Sequence, residues 1–166
     1  MTLKRHDSKD LRALELDDID GRILAALHAD ARIANSALAE LVGIAASTCH
    51  ARVRRLQEAQ VIRGFHADID LAAIGLPLRA MISVSLQSRA RGRIRSFVQQ
   101  IRAKAQVVDV YFLGGADDFL IHVAARDTDD LRSFVVDNLN SDPDVAGTQT
   151  SLIFEHLRGV AAVGTL

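Results

Sequence analysis

The hydrophobic residues of this chain change their spacing once, and that change limits it to two dissimilar halves. From Leu16 to Leu56 they return at three- and four-residue steps, the period of helices, whereas from Ala80 a strand-like alternation begins. Between the two patterns "LAAIGLPLRA" carries Gly75 and Pro77, both of which break regular elements, so the boundary falls there. A helical half followed by a half mixing strands and helices is an α+β chain. Its 166 residues suffice for two small domains, and a hydrophobic content of 49% can supply each with a core.

In the first half, Leu16, Ile19, Ile23, Leu24 and Leu27 form one helical stripe, with Asp17 or Asp18 as its cap. A shorter helix follows, with Asn35 or Ser36 as its cap, and Leu38, Leu41 and Val42 facing inward before Gly43 ends it in a tight turn. The stretch "GIAASTCHARVRRL" then opens a third helix, which completes the layout of a helix-turn-helix unit.

At about 100° per residue, Cys49, Val53 and Leu56 share one face of this third helix. Ser47, Thr48, His50, Ala51, Arg54 and Arg55 belong to the outward side. Small side chains let the helix approach base edges closely, and arginines can pair with phosphate or guanine, so this side suits a DNA major groove. Arg52 lies at the margin of the apolar face and reads first as an ion-pair partner of Asp17 or Asp20. Charge alone fits a solvated face of a plain three-helix bundle equally well. The elements that follow shift the balance, because Val61–Ile62 and Phe65–Ala67–Ile69 suggest two short strands turning near Arg63 and Gly64. Such a β-wing braces a winged helix-turn-helix, and Arg63 and His66 could reach backbone phosphates. Cys49 reads as a small core residue.

The second half gives strand, helix, strand, strand, helix, strand. "AMISVSLQ" alternates; Ile94, Phe97, Val98 and Ile101 mark a helix; "VVDVYFL" and "FLIHVAA" flank a Gly114–Gly115 turn; Leu131, Phe134, Val135 and Leu139 mark another helix; and "TQTSLIFEH" closes the series. This is the ferredoxin-like split unit, one antiparallel sheet with both helices on one face. Its other face needs cover, so the chain is expected to pair at least as a homodimer, with tetramer and octamer left open.

Read together, "LDDIDGRILAALHADARI" and "LAELVGIAASTCHARVRRLQEAQVIRGFHADID" resemble the amino-terminal part of the Lrp/AsnC family, the leucine-responsive or feast/famine transcription regulators. The likeness rests on Leu16-Asp17-x-Ile19-Asp20, Ile23-Leu24, Leu38-Ala39, Gly43, Arg52, Leu56 and Val61-Ile62-x-Gly64. Two departures stand out. Ala45 replaces a serine that usually caps the recognition helix, and Gln60 replaces a common glycine before the wing. The second half resembles the family's effector domain, related in design to the amino-acid-binding ACT domains.

The resemblance implies a winged helix-turn-helix over 15–70, a linker over 71–78 and a ferredoxin-like effector and oligomerisation domain over 79–158. A flexible arm over 1–14 and a tail over 159–166 complete the expected organisation. In "GGADDFLIHV" the family's Gly-x-x-Asp effector turn maps onto Gly115 and Asp118, with Gly114 and Asp117 beside them. Glycine amides can receive a carboxylate and an aspartate an ammonium, although an ordinary hairpin with solvated acids has the same sequence. Thr148 and Thr150 match a threonine pair found near this region in relatives.

The implied function is a sequence-specific regulator of double-stranded DNA whose binding or assembly responds to a small molecule, an amino acid above all. The alternatives are a ligand-independent architectural DNA binder and a small ferredoxin-like enzyme. The enzyme reading is the weakest, since no nucleophile, base and acid set emerges from the residue placement. A net charge of −1 confines any DNA contact to a local patch. Six basic residues from Arg89 to Lys104, without an acid among them, read as a solvated helix face in preference to a DNA surface. One cysteine precludes an internal disulfide, the histidine spacings suggest no metal site, and no cofactor is expected. Without a membrane-length apolar run or a hydrophobic leader, the expected location is the cytoplasm.

Overall fold

A computed structural model of the chain describes residues 15–157. The arm expected over 1–14 and the tail expected over 159–166 lie outside the described residues. The described chain divides into two compact units, the second spanning Ile69–Leu157.

The first unit holds α1 (Asp18–Ala29), α2 (Asn35–Val42) and α3 (Ala46–Glu58). Of the two capping candidates for α1, Asp17 takes the role, forming a reciprocal capping box with Asp20. The cap expected at Asn35 or Ser36 is not formed. Ala34 occupies that position without a side-chain bond, while Asn35 reaches away to donate to the Ala46 carbonyl at 2.9 Å. Gly43 ends α2 at φ 74°, the left-handed turn that tolerates glycine best. Ala45 leaves the start of α3 without a side-chain cap, as its lack of a hydroxyl dictates. Ile23, Leu38, Ala39, Val42, Cys49 and Leu56 form the core, so the expected inward face of α3 is the buried one.

The two strands expected over residues 61–69 do not form; the segment is irregular. The cause lies just upstream. Gln60 adopts φ 59°, its amide donates to the Gln57 carbonyl at 3.0 Å, and the Val61 amide donates to the Leu56 carbonyl at 2.9 Å. This pair of bonds is a Schellman cap, and it turns Ile62 back onto the helical core. Val61 and Ile62 therefore terminate a helix instead of starting a hairpin, which as an isolated pair of strands would be marginal. Since a side chain at positive φ costs about 1 kcal/mol or more, Gln60→Gly is expected to stabilise this unit by about 1 kcal/mol, read as a higher urea midpoint.

The second unit contains β1 (Leu78–Leu86), α4 (Ile94–Arg102), β2 (Val107–Phe112), β3 (Phe119–Ala125), α5 (Thr128–Val135) and β4 (Val145–Ile153). A 3-10 turn leads into α4, and a π-helical turn extends α5 to Asn140. The strands make one antiparallel sheet in the order β2-β3-β1-β4, the expected ferredoxin-like arrangement. Alternation decides the faces. Ala80, Ile82 and Val84 of β1 and Phe119, Ile121 and Val123 of β3 pack against Phe97 and Ile101 of α4 and Leu131 and Phe134 of α5. Arg79, Met81, Leu120, His122, Asp109 and Tyr111 fall by register on the face away from the helices.

Candidate DNA interface and effector turn

The outward face of α3 is set by how α3 is held to α1. Arg52 Nη1 donates to Asp17 Oδ2 at 2.8 Å and to Asp20 Oδ1 at 2.9 Å. Asp20 is wholly buried, and its other oxygen accepts from Arg55 Nη2. A buried carboxylate thus receives two arginines from successive turns of α3. The pairing holds Asp17 ionised, its carboxyl pushed below the ordinary value first by the Asp20 amide and then by Arg52. Arg52, read from sequence as an ion-pair partner, has that role. Arg55, expected on the DNA side, is exposed and also donates to Asp20.

What remains free on α3 is its N-terminal part and one outer edge. Ser47, Thr48, His50 and Ala51 are all exposed. Arg54 is exposed and donates to Glu58 at 2.8 Å, one helical turn along. Such an exposed pair is worth only a few tenths of a kcal/mol, so a phosphate or base can replace Glu58 at little cost. In the irregular segment, Arg63 and His66 are exposed. At the start of the basic run over Arg89–Lys104, Arg89 donates to the Pro143 carbonyl and Arg93 pairs with Asp144 at 2.8 Å. Those two arginines are tied to the approach to β4.

The turn between β2 and β3 brings most of the expected effector residues to one end of the sheet. Gly114 and Gly115 are exposed, with open space where a side chain would begin, and neither needs a positive φ. Asp117 Oδ1 accepts from the Ser85 hydroxyl at 2.9 Å. Asp118 Oδ2 accepts from the Leu86 amide at 2.7 Å, and the Asp118 amide donates to the Val84 carbonyl at 3.0 Å. Both acids therefore tie the turn to the end of β1, beside its register shift at Ser85–Leu86. Thr148 lies opposite Val84 and Thr150 opposite Ile82, so Thr148 sits nearer the turn. The Thr148 hydroxyl donates to Asn140 Oδ1 at 3.0 Å. Sequence reasoning missed Ser85 and Asn140, because only the fold makes them neighbours of Asp117 and Thr148. A groove of about 310 Å³ runs along α4 and β2, lined by Val98, Arg102 and residues 107–110, and none of the expected effector residues lines it.

Comparison with known proteins matches both units in order. An AsnC-type helix-turn-helix domain covers residues 16–57, and an Lrp/AsnC ligand-binding domain covers residues 79–159. The chain belongs to the Lrp/AsnC family of transcriptional regulators. The HTH-type transcriptional regulator AldR of Mycobacterium tuberculosis is 70% identical over 162 residues, covering 98% of this chain and 90% of that protein. Its namesake in Mycolicibacterium smegmatis is 75% identical over 153 residues, covering 92% and 90%. Among solved structures, a Neisseria meningitidis transcriptional regulator in complex with L-Met has a TM-score of 0.80 at 28% identity, covering 87% of this chain and 93% of that one. In this Lrp/AsnC regulator, the α3 face belongs to the DNA-binding unit and the Gly114–Asp118 turn to the ligand-binding unit. No helix among the described residues is long and apolar enough to cross a membrane.

Proposed function

We propose that this regulator reads its operator with the exposed face of α3, through Ser47, Thr48, His50, Ala51 and Arg54, with Arg63 on the flanking backbone. Arg55 has a different part: with Arg52 it fixes the angle of α3 against α1. The observation that carries this reading is the buried Asp20, which claims Arg52 and Arg55 and leaves Arg54 with only an exposed glutamate. Arg54→Ala is expected to weaken operator binding by about 1–3 kcal/mol, the range for a base-reading arginine. Fluorescence anisotropy on labelled operator checks this, and unchanged affinity would remove Arg54 from the interface.

The effector is an amino acid, bound where the Gly114–Gly115 amides are open and Asp118 keeps Oδ1 beyond its bond to Leu86. Support comes from the L-Met complexes of two structural relatives, the Neisseria regulator and a feast or famine regulatory protein of M. tuberculosis. A second copy covers the sheet face away from the helices. The chain acts as a regulator, without turnover, in the cytoplasm. Because Asp118 also secures β1, Asp118→Asn is the informative variant: it keeps an oxygen for the Leu86 amide and removes the charge. A thermal-shift screen of amino acids, starting from L-methionine, is expected to raise the melting temperature of the wild type by mass action. Asp118→Asn should lose that rise while melting normally without ligand. A full rise in the variant takes Asp118 out of the site, and no rise with any amino acid favours the ligand-independent architectural reading.

A further inference from the structure

A row of four polar side chains crosses the sheet face that carries no helix. Arg79 Nε donates to His122 Nε2 at 3.3 Å, His122 Nδ1 lies 3.6 Å from Asp109 Oδ2, and Arg79 Nη2 lies 3.4 Å from His156 Nδ1. The row runs from β2 through β3 and β1 to the segment after β4, acidic at the Asp109 end and basic at the Arg79 end. Its centre, His122, is only 6% exposed. An imidazole that accepts from arginine at Nε2 must be neutral and carry its proton on Nδ1, toward Asp109.

We propose that this row is a proton-gated latch for pairing with a second copy: neutral His122 holds Arg79 against the sheet, and protonation of His122 releases Arg79 and opens the pair. The proposal rests on the reading that a second copy covers this face. A row with opposite charges at its ends is self-complementary under a two-fold axis, because the acidic end of each copy lies over the basic end of its mate. Met81, Leu120 and the half-exposed Tyr111 share the face and supply apolar contact around the row.

Protonation breaks this arrangement at a definite atom. A proton on Nε2 turns an acceptor into a donor, so Arg79 loses its partner and meets a like charge. Asp109 is then drawn to its own imidazolium and is no longer offered to the mate. The groups that act on His122 are Arg79 from β1, Asp109 from β2 and His156 from beyond β4. Burial first and the Arg79 charge second hold the His122 pKa below its ordinary value, against the opposing pull of Asp109. The neutral form is therefore favoured in the fold. Within one protomer this supports the fold fully above the ordinary histidine value of 6.5 and less as pH falls below it; cover by a second copy buries His122 further and carries the same sense to pairing.

Sedimentation equilibrium of the full chain at pH 7.5 and pH 5.5, with circular dichroism to verify folding, tests the latch. The dimer dissociation constant is expected to rise severalfold at the lower pH, because His122 takes up a proton more readily in the separated protomer than beneath the mate. His122→Gln should flatten this dependence, whereas His156→Gln should keep it. Asp109→Asn should move the midpoint to lower pH and Arg79→Gln to higher pH, opposite shifts that a merely structural role does not produce. If His122→Gln does not fold, those two midpoints decide. A chain that is monomeric at pH 7.5 overturns the second-copy reading, and the latch with it. A dimer equally tight at both values, or a His122→Gln variant with the wild-type dependence, overturns the latch alone.

Discussion

Asp20→Ala is expected to unfold the helix-turn-helix unit, or to leave it so weak that operator binding is lost at ordinary temperatures. The carboxylate is fully buried and accepts from both Arg52 and Arg55, while its amide and side chain complete the Asp17 capping box. Truncation therefore removes three things together: the return half of the box, since only the bond from the residue-20 amide to Asp17 survives, an acceptor for two guanidinium groups, and the volume of a buried side chain. Breaking a buried ion pair by deleting one partner costs about 3–5 kcal/mol, because the other charge stays desolvated. Asp17 still holds Arg52 and Arg55 can turn to water, which puts the cost toward the lower end. Even so, a small unit has only about 5–15 kcal/mol in total. Urea unfolding, followed by the helical signal, should show an early transition that the wild type lacks, and operator affinity should fall in parallel. Asp20→Asn should cost less, since an amide oxygen still accepts from one arginine. A variant with wild-type midpoint and wild-type operator affinity would show that the two arginines need no buried partner.

The same network shows what could be read before the fold was in view. Arg52 was legible as a structural arginine because helical phase alone places it beside the apolar stripe, and Asp17 and Asp20 stand one turn apart at the start of α1. Arg55 was not legible. By phase it points outward, and only the packing of α3 on α1 brings its guanidinium to Asp20. The caps behaved similarly: the sequence left Asp17 and Asp18 both open, and the reciprocal bond with Asp20 selects Asp17, whereas Asn35 leaves its expected cap for the Ala46 carbonyl, a partner 11 residues away. The wing failed for a local reason, since Gln60 at positive φ sends Val61 into a Schellman bond that outcompetes strand pairing. In the second unit the alternation of β1 marked its core face, with Ile82 and Val84 buried, whereas β3 also buries His122 and Ala124 on the opposite face, which alternation alone does not show. The same pattern carried no information about Asp117 and Asp118, whose tertiary partners Ser85 and Leu86 lie over thirty residues earlier in the chain.

Those partners join the effector turn to the core of its domain. Asp118 clamps β3 to the end of β1, and the next residue, Phe119, enters the core. Residues proposed to face the effector and residues that hold the sheet thus lie within a few positions of one hairpin, so damage to one set is expected to reach the other. Asp118→Ala is for this reason a poor probe of ligand contact: it leaves the part-buried Leu86 amide without its acceptor, a loss of about 1 kcal/mol.

Phe119→Ala exposes this coupling most strongly. The ring is fully buried and packs between Phe97 of α4, at 5.4 Å, and Phe112 of β2, at 5.3 Å. It is the one side chain of that hairpin that contacts both a helix and the neighbouring strand through aromatic rings. Removing it costs about 3–5 kcal/mol, as for other buried phenylalanines, through lost burial and an unfilled cavity. The ligand-binding unit should then unfold well before the wild type in urea. Ligand response and assembly should disappear together, because the turn and the open sheet face both depend on β3. Phe119→Leu should recover much of the loss by refilling the space with an apolar side chain. If Phe119→Ala instead kept its midpoint while losing only the ligand response, the ring would be a ligand contact and not the support of the turn.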